Sequence, residues 1–468
     1  MKLNEILKTD YENRRNKEYI FEKKDGKFQG RTFGKLIEDV FALAHMLLDK
    51  GLGGAAVGII GKNSYAFMTA DLAVTAYTGV SVMLSKEMTA DTISALLKST
   101  GAKALIYDGE PEPMVKALGL GKDFVFISMK EIYSLSAPPS LFDLPAKDEN
   151  DCCKIVFSSG TTGPSKGIMH SQKSIFAGYP ELHKRVPLGE NDTDYLFLPL
   201  HHTYAGVYNF YYSLIGGYSL YLSSSPAAIV SELLEVNPTI FCAVPLVYQR
   251  LLNAYGDNIC HAFGRNIRYL FTGGAACSDD IRCALSKFPL IRSYGLSETA
   301  ASFSISYFGD DDSSCGTVFE SIDAKIYQPD ENGVGEIILK GDTVFLGYLD
   351  PALTAKAFDE NGYFHTGDLG IIADRKVYIK GRKKKILVGS NGKNIDVEEL
   401  SALLYALNQN INEVKLYLKN DRLNADFYVK NEGESMNETV ARFNKNMPRY
   451  QQIDSFRVIT DKEFARLK

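Results

Sequence analysis

Apolar residues along the chain fall into two alternating patterns. Between Phe33 and Leu48 the residues Leu36, Val40, Leu43, Ala44 and Leu47 recur at helical spacing, and the uninterrupted run Ala56 to Ile60 that follows reads as a buried strand. The same grammar returns at Lys103–Tyr107, Phe124–Ile127, Tyr218–Leu222 and Thr239–Val244, each separated from the next by helical segments. Short buried strands alternating with helices predict a large layered α/β domain with mostly parallel sheets, whose chemistry sits in loops at the strand ends. After Gly316 the texture changes to short strands and turns, at Ala324–Tyr327, Gly335–Leu339 and Lys376–Ile379, which predicts a smaller β-rich subdomain. Beyond Lys380 a helix over Val397–Leu407, strands at Glu413–Lys419 and Ala425–Lys430, a helix over Met436–Met447 and a strand at Phe456–Ile459 predict a compact α+β lobe. The expected boundary puts residues 1–380 in an N-terminal domain and 381–468 in a small C-terminal one.

Composition narrows the picture. A chain of 468 residues, 45% hydrophobic and 23% charged, is long enough for more than one core and too apolar to be disordered. No stretch approaches the roughly 18 uninterrupted apolar residues of a membrane span, and Met1 to Phe21 lacks a basic flank before an apolar run, so a cytoplasmic protein is expected. The net charge of -5 argues against a nucleic-acid partner and for small-molecule chemistry. Seven cysteines without a Cys-x-x-Cys pair indicate neither a disulfide framework nor a zinc site and are expected to be buried thiols.

The strongest chemical signal is Ile155 to Gly167, an apolar strand running into glycines, hydroxyls and one lysine. Glycines let backbone N–H groups curl toward an anion; Ser158, Ser159, Thr161 and Thr162 add donors around Gly160 and Gly163, and Lys166 supplies charge. This is a phosphate cradle. It is not the kinase and ATPase P-loop, because counting from Gly160 puts Ser165 where the second glycine belongs and Gly167 where Ser or Thr belongs.

The stretch resembles the signature loop of the adenylate-forming superfamily, which includes acyl-CoA synthetases, peptide-synthetase adenylation domains and firefly luciferase, with Ser165 standing for the family's proline. Further motifs follow in the family's order. Leu198 to Tyr204 resembles the segment whose histidine shapes the carboxylate pocket, which by spacing from Pro199 is His202. Phe271 to Ala276, with Gly273, Gly274 and Ala275, resembles the turn that packs on adenine. In Ser293 to Thr299 the resemblance implies that Tyr294 stacks on the base beside Ser293, Gly295 and Leu296, that Ser297 replaces the commoner threonine, and that Glu298, with Thr161, holds Mg²⁺. Tyr363 to Leu369 resembles the Thr-Gly-Asp motif, implying that Asp368 binds the ribose; Arg382 would meet the same ribose from across the boundary, with Lys384 as the hinge. The loop Ile386 to Ile395 is most like that of bacterial fatty acyl-CoA synthetases.

The resemblance thus implies an N-terminal AMP-binding domain and a mobile C-terminal lid. ATP, Mg²⁺ and coenzyme A would be used to turn a carboxylic acid into its acyl-AMP and then its acyl-CoA. Amino-acid-activating relatives carry an aspartate after the histidine region. His202 to Phe210 has none, so a fatty acid is expected, with an aryl acid second. An acyl carrier protein as acceptor and a peripheral membrane contact stay open. Relatives follow a similar Lys-Glu-Phe with a Gly-Lys whose lysine serves adenylation; this sequence stops before any Gly-Lys. The expectation is that it is truncated a few residues early, that Lys468 is an imperfect substitute or that adenylation is impaired, truncation or impairment being favoured, with pyrophosphate exchange slow and acyl transfer to CoA near normal.

Overall fold

The computed structural model describes residues 2–109, 118–158, 166–275, 277–306, 309–310, 313–383, 386–388, 394–419, 422–429 and 435–460. The chain divides into two compact units: Met1–Ala324 with Leu339–Phe364 and Ala373–Val377, and Lys325–Ile338 with His365–Ile372 and Tyr378–Lys468.

The first unit is layered α/β, as the alternating pattern predicts. One sheet runs in the order Gly347–Tyr348, Lys166–Ser171, Cys152–Ser158, Val80–Leu84, Ala56–Ile60, Ala104–Tyr107 and Val125–Ser128. Its inner pairs are parallel, and only the edge that includes Lys166–Ser171 and Gly347–Tyr348 turns antiparallel. A second run of strands, Leu290–Tyr294, Tyr269–Thr272, Ile240–Ala243, Thr193–Leu196, Ser219–Leu222 and Glu18–Lys24, is parallel throughout and ends on antiparallel Lys27–Thr32. Strands covered on both faces by helices must be apolar along their length, which is why they appear as unbroken runs.

The helix Phe33–Asp49 shows how the local code works. Thr32 caps it by accepting from the Lys35 N–H at 3.2 Å, and Leu36, Val40, Leu43, Ala44 and Leu47 are all fully buried. Each such side chain contributes roughly 1.5–3 kcal/mol on burial. The same helix carries one polar inclusion, Asp39, which is satisfied by Lys35 Nζ at 2.8 Å and the Tyr65 hydroxyl at 2.7 Å.

In the second unit, Ile411–Lys419, Arg422–Val429 and Ile453–Thr460 form a sheet with Arg422–Val429 in the middle, antiparallel to the first and parallel to the last. The helices Val397–Leu407 and Met436–Asn446 supply Leu400, Leu404, Val440 and Phe443 to a core with Val414, Leu416 and Phe427. All seven cysteines are free, but only Cys153 and Cys242 are buried and Cys283 is exposed, which corrects the expectation of buried thiols throughout. No helix among the described residues is long and apolar enough to cross a membrane.

Candidate active site

Ligands in open α/β folds gather at the carboxyl ends of parallel strands. Tyr269–Thr272 and Leu290–Tyr294 pair in register with Thr272 opposite Arg292, and the chain leaves them as Gly273–Gly274 and Gly295. Glycine is required at each for a different reason. A Cβ on Gly273 would lie 2.7 Å from Ser293 Oγ, Gly274 has a left-handed φ of +78°, and a Cβ on Gly295 would come within 2.3 Å of both Ala301 O and Ser302 Cα. Two non-glycine residues at this turn, Ala300 (φ 47°) and Ala301 (φ 90°), are also left-handed, a strained backbone of the kind that gathers at functional sites. The Tyr294 ring meets Phe303 edge-on with centroids 4.9 Å apart.

Glu298 sits in the 3-10 turn Ser297–Thr299, which is held from three sides. His170 Nε2 donates to Ser297 O at 2.8 Å, the Phe345 N–H donates to Glu298 O at 2.8 Å, and the Tyr348 hydroxyl donates to Glu298 Oε1 at 2.8 Å. Burial pushes the His170 imidazole down to about 4, so the ring is neutral at physiological pH, with the proton on the nitrogen that faces Ser297 O. Lys166 opens the strand that carries His170, and its Nζ lies 4.8 Å from the centre of the Tyr348 ring. Neither His170 nor Tyr348 carries a motif signal in the sequence. Tyr348 reaches Glu298 and His170 reaches Ser297 from neighbouring strands, since Lys166–Ser171 pairs with Gly347–Tyr348 and puts Tyr348 opposite Ile168.

The histidine segment is positioned by Asn63, another residue without a sequence signal. Its amide donates to Leu198 O at 2.8 Å and its carbonyl accepts from the Leu200 N–H at 3.0 Å. His202 is solvent-exposed and donates its backbone N–H to Pro199 O at 3.1 Å; His201 is half-buried, and its imidazole is pushed down to about 4 by burial and then by His202.

In the second unit, Asp368 is buried and paired with Arg382, Nε to Oδ1 at 2.8 Å. Both residues fall in the second unit, where they touch. Gly367, at φ +75°, turns the backbone so that its N–H donates to Glu336 Oε1 at 3.0 Å; Glu336 also accepts from His365 Nδ1 at 2.9 Å and Lys383 Nζ at 3.0 Å. Burial alone would raise the Glu336 carboxyl, but these partners outweigh it and hold the group below its ordinary value.

Ser158 ends the strand Cys152–Ser158, while Ser159, Gly160, Thr161, Thr162, Gly163, Lys384 and Lys468 lie outside the described residues. No group of three or more His, Cys, Asp or Glu side chains comes together among the described residues. A lone carboxylate suits an ion such as Mg²⁺, which takes one or two protein oxygens and completes its shell with phosphates and water.

A family model described as AMP-binding enzyme matches residues 8–349. The chain belongs to the AMP-binding enzymes. It is 26% identical over 423 residues to the long-chain-fatty-acid–CoA ligase ACSBG2 of Xenopus laevis, a match covering 72% of this chain and 57% of that protein. With the 2-succinylbenzoate–CoA ligase of Geobacillus sp. (strain WCH70) it shares 28% identity over 394 residues, covering 80% and 76% of the two chains. The chain spans from about half to about two thirds of the length of the long-chain ligases it matches. In fold it is similar to the Bacillus subtilis O-succinylbenzoate coenzyme A synthetase in complex with AMP, with a TM-score of 0.83 at 20% identity over 97% of this chain and 94% of that one. ATP-bound MatB from Rhodopseudomonas palustris aligns with a TM-score of 0.82, also at 20% identity, over 98% and 95%.

Proposed function

We propose that this AMP-binding enzyme is an ATP-dependent acyl-CoA ligase. A carboxylate oxygen of the acid attacks the α-phosphorus of ATP as the bond to pyrophosphate breaks; the thiol of coenzyme A then attacks the acyl carbon and AMP leaves. The observation that carries the reading is the meeting of Lys166 and Glu298 on either side of Tyr348, in the same unit as the glycine turns at the parallel strand ends.

In this reading Ser158 to Gly163 and Lys166 hold the phosphates, and Gly273 to Ala275 with Ser293 to Ser297 hold the adenine. Asp368 and Arg382 bind the ribose, His202 shapes the carboxylate pocket, Lys384 is the hinge and Lys468 is at most an imperfect substitute for the lysine that serves adenylation in relatives. Glu298, with Thr161, is the ligand offered to Mg²⁺, whose charge would offset that of the phosphate oxygens. Charge stabilisation and positioning account for most of phosphoryl-group chemistry, so donors fixed in advance matter more than any proton relay.

A fatty acid is the favoured substrate class, supported by the long-chain ligases among the relatives and by the buried run Val207 to Tyr212 beside the histidine segment. The 2-succinylbenzoate–CoA ligase relative favours an aryl acid as the second reading. The test is ATP–pyrophosphate exchange over a panel of alkanoic and aryl acids, followed by discharge of the adenylate with free CoA or with a carrier-protein thiol. Exchange with no acid of the panel would defeat the ligase reading, and discharge by the carrier alone would replace CoA as acceptor.

A further inference from the structure

We propose that Tyr348 is a positioning residue for the phosphate chemistry, joining the metal-binding carboxylate to the lysine of the phosphate loop. The inference rests on the ligase reading for the roles of Glu298 and Lys166, and on the geometry around Tyr348 for everything else. Tyr348 lies on a two-residue strand, Gly347–Tyr348, pinned against Lys166–Ser171 by register and by the Leu349 N–H donating to Gly167 O at 2.7 Å. Its own N–H donates to Thr354 Oγ1 at 2.8 Å, so its backbone is fixed on both sides.

From that position one side chain does two things. The hydroxyl donates to Glu298 Oε1 at 2.8 Å, and the ring face receives Lys166 Nζ at 4.8 Å. A phenol hydroxyl has a single proton to donate, and here the carboxylate is its acceptor. An exposed glutamate samples several rotamers, and a lysine samples more. Here the carboxylate is pinned through one oxygen and the ammonium is seated on a neutral, electron-rich face instead of collapsing into a direct ion pair with Glu298. A direct pair would neutralise both charges that a nucleotide and its metal need. Tyr348 therefore keeps the cation and the anion apart, oriented and unspent. Alternation puts Lys166, Ile168 and His170 on one face of their strand, and His170 holds Ser297 O from that face. The strand that leaves the phosphate loop is thus tied to the Glu298 turn at both ends.

Two variants separate the two tasks. Tyr348→Phe keeps the ring and removes the hydroxyl; Tyr348→Leu removes both. Mn²⁺ binding is measured by electron paramagnetic resonance in the presence of α,β-methylene-ATP, AMP binding is measured calorimetrically in EDTA, and pyrophosphate exchange is measured against free Mg²⁺. Tyr348→Phe is expected to weaken Mn²⁺ binding and raise the half-saturating Mg²⁺ about tenfold, with the exchange rate restored at high Mg²⁺ and AMP affinity in EDTA unchanged. Tyr348→Leu is expected to show the same metal defect and an exchange rate that high Mg²⁺ does not restore. Wild-type metal dependence in Tyr348→Phe overturns the proposal. So does an equal loss of metal-free AMP binding, which marks a merely structural tyrosine. The metal-binding arm requires no carboxylic acid, so it decides the role of Tyr348 even where exchange fails with every acid, a result that counts against the ligase reading alone.

Discussion

Asp194 is a carboxyl group in the wrong place for an anion. It sits on the strand Thr193–Leu196 opposite Ile240, only 1% exposed, and accepts from Asn209 Nδ2 at 2.6 Å. Burial pushes it up to about 7, opposed by Asn209 and by the Tyr195 N–H. Its folded value thus lies above its unfolded 3.8, so the folded state binds the extra proton. The stability tied to that proton is present below the unfolded value and is lost as pH rises through 7. The loss totals about 4 kcal/mol, from a rise of roughly 3 units at about 1.4 kcal/mol each. Asp194→Asn keeps the shape and an acceptor for Asn209 while removing the charge. It is expected to stabilise the protein by about 4 kcal/mol at pH 8 and by about a third of that at pH 5. At on the order of 2 °C per kcal/mol for a unit of this size, the unfolding midpoint should rise by roughly 8 °C at pH 8 and by 2–3 °C at pH 5. Calorimetric scans of both proteins at the two pH values measure this directly. Asp10, also pushed up to about 7 by burial, is common to both proteins and cancels in the difference. Equal midpoint shifts at pH 5 and pH 8, or a loss of stability at pH 8, would refute the reasoning.

Other outcomes follow from the same geometry. Asp368→Ala should raise the Kd for ATP between roughly tenfold and a hundredfold through lost charge-assisted hydrogen bonds to the ribose, while its partner Arg382, half exposed, adds little; unchanged affinity by calorimetry would remove Asp368 from the nucleotide site. Gly295→Ala places a Cβ within 2.3 Å of the Ala301 and Ser302 backbone, so AMP binding should be lost and stability reduced by on the order of 1–3 kcal/mol, and a wild-type midpoint with normal binding would count against it. Asn63→Ala should release the Leu198–Leu200 segment and raise the KM for the acid more than that for ATP, which steady-state kinetics with each substrate varied in turn will show. Lys384→Pro fixes φ at the hinge and should slow thioester formation far more than adenylation; equal losses in the two half-reactions would contradict a hinge there.

Periodicity in the chain was enough to find the helix Phe33–Asp49, the strand Ala56–Ile60 and the order of elements in the second unit's α+β lobe, because each of these patterns is set by neighbours a few residues apart. The unbroken apolar runs between helical segments carried the layered α/β class for a related reason: strands buried on both faces have no polar face to show. Residue chemistry likewise made Lys166 stand out, since a lysine beside glycines and hydroxyls is a local signal, whereas Glu298, Asp368 and Arg382 were marked only by resemblance to the family's motifs. What holds those residues was not legible. Tyr348 lies 50 positions from Glu298, His170 lies 127 from Ser297, and Asn63 lies 135 from Leu198, each pair joined by one hydrogen bond. A tyrosine, a histidine or an asparagine in isolation is as readily a core or turn residue as a positioning one, and nothing within a few residues of any of them says otherwise. Their roles come from contacts between one sheet and the loops of the other, since Asn63 and His170 belong with one sheet and Leu198 and Ser297 with the other, and that is settled by packing over the whole unit and not by any segment of it. The sequence by itself determined the elements and marked the candidate side chains; only the tertiary structure decided which distant neighbour each of them leans on, because a hydrogen bond needs two atoms within about 3 Å and the chain brings such atoms together only when it folds.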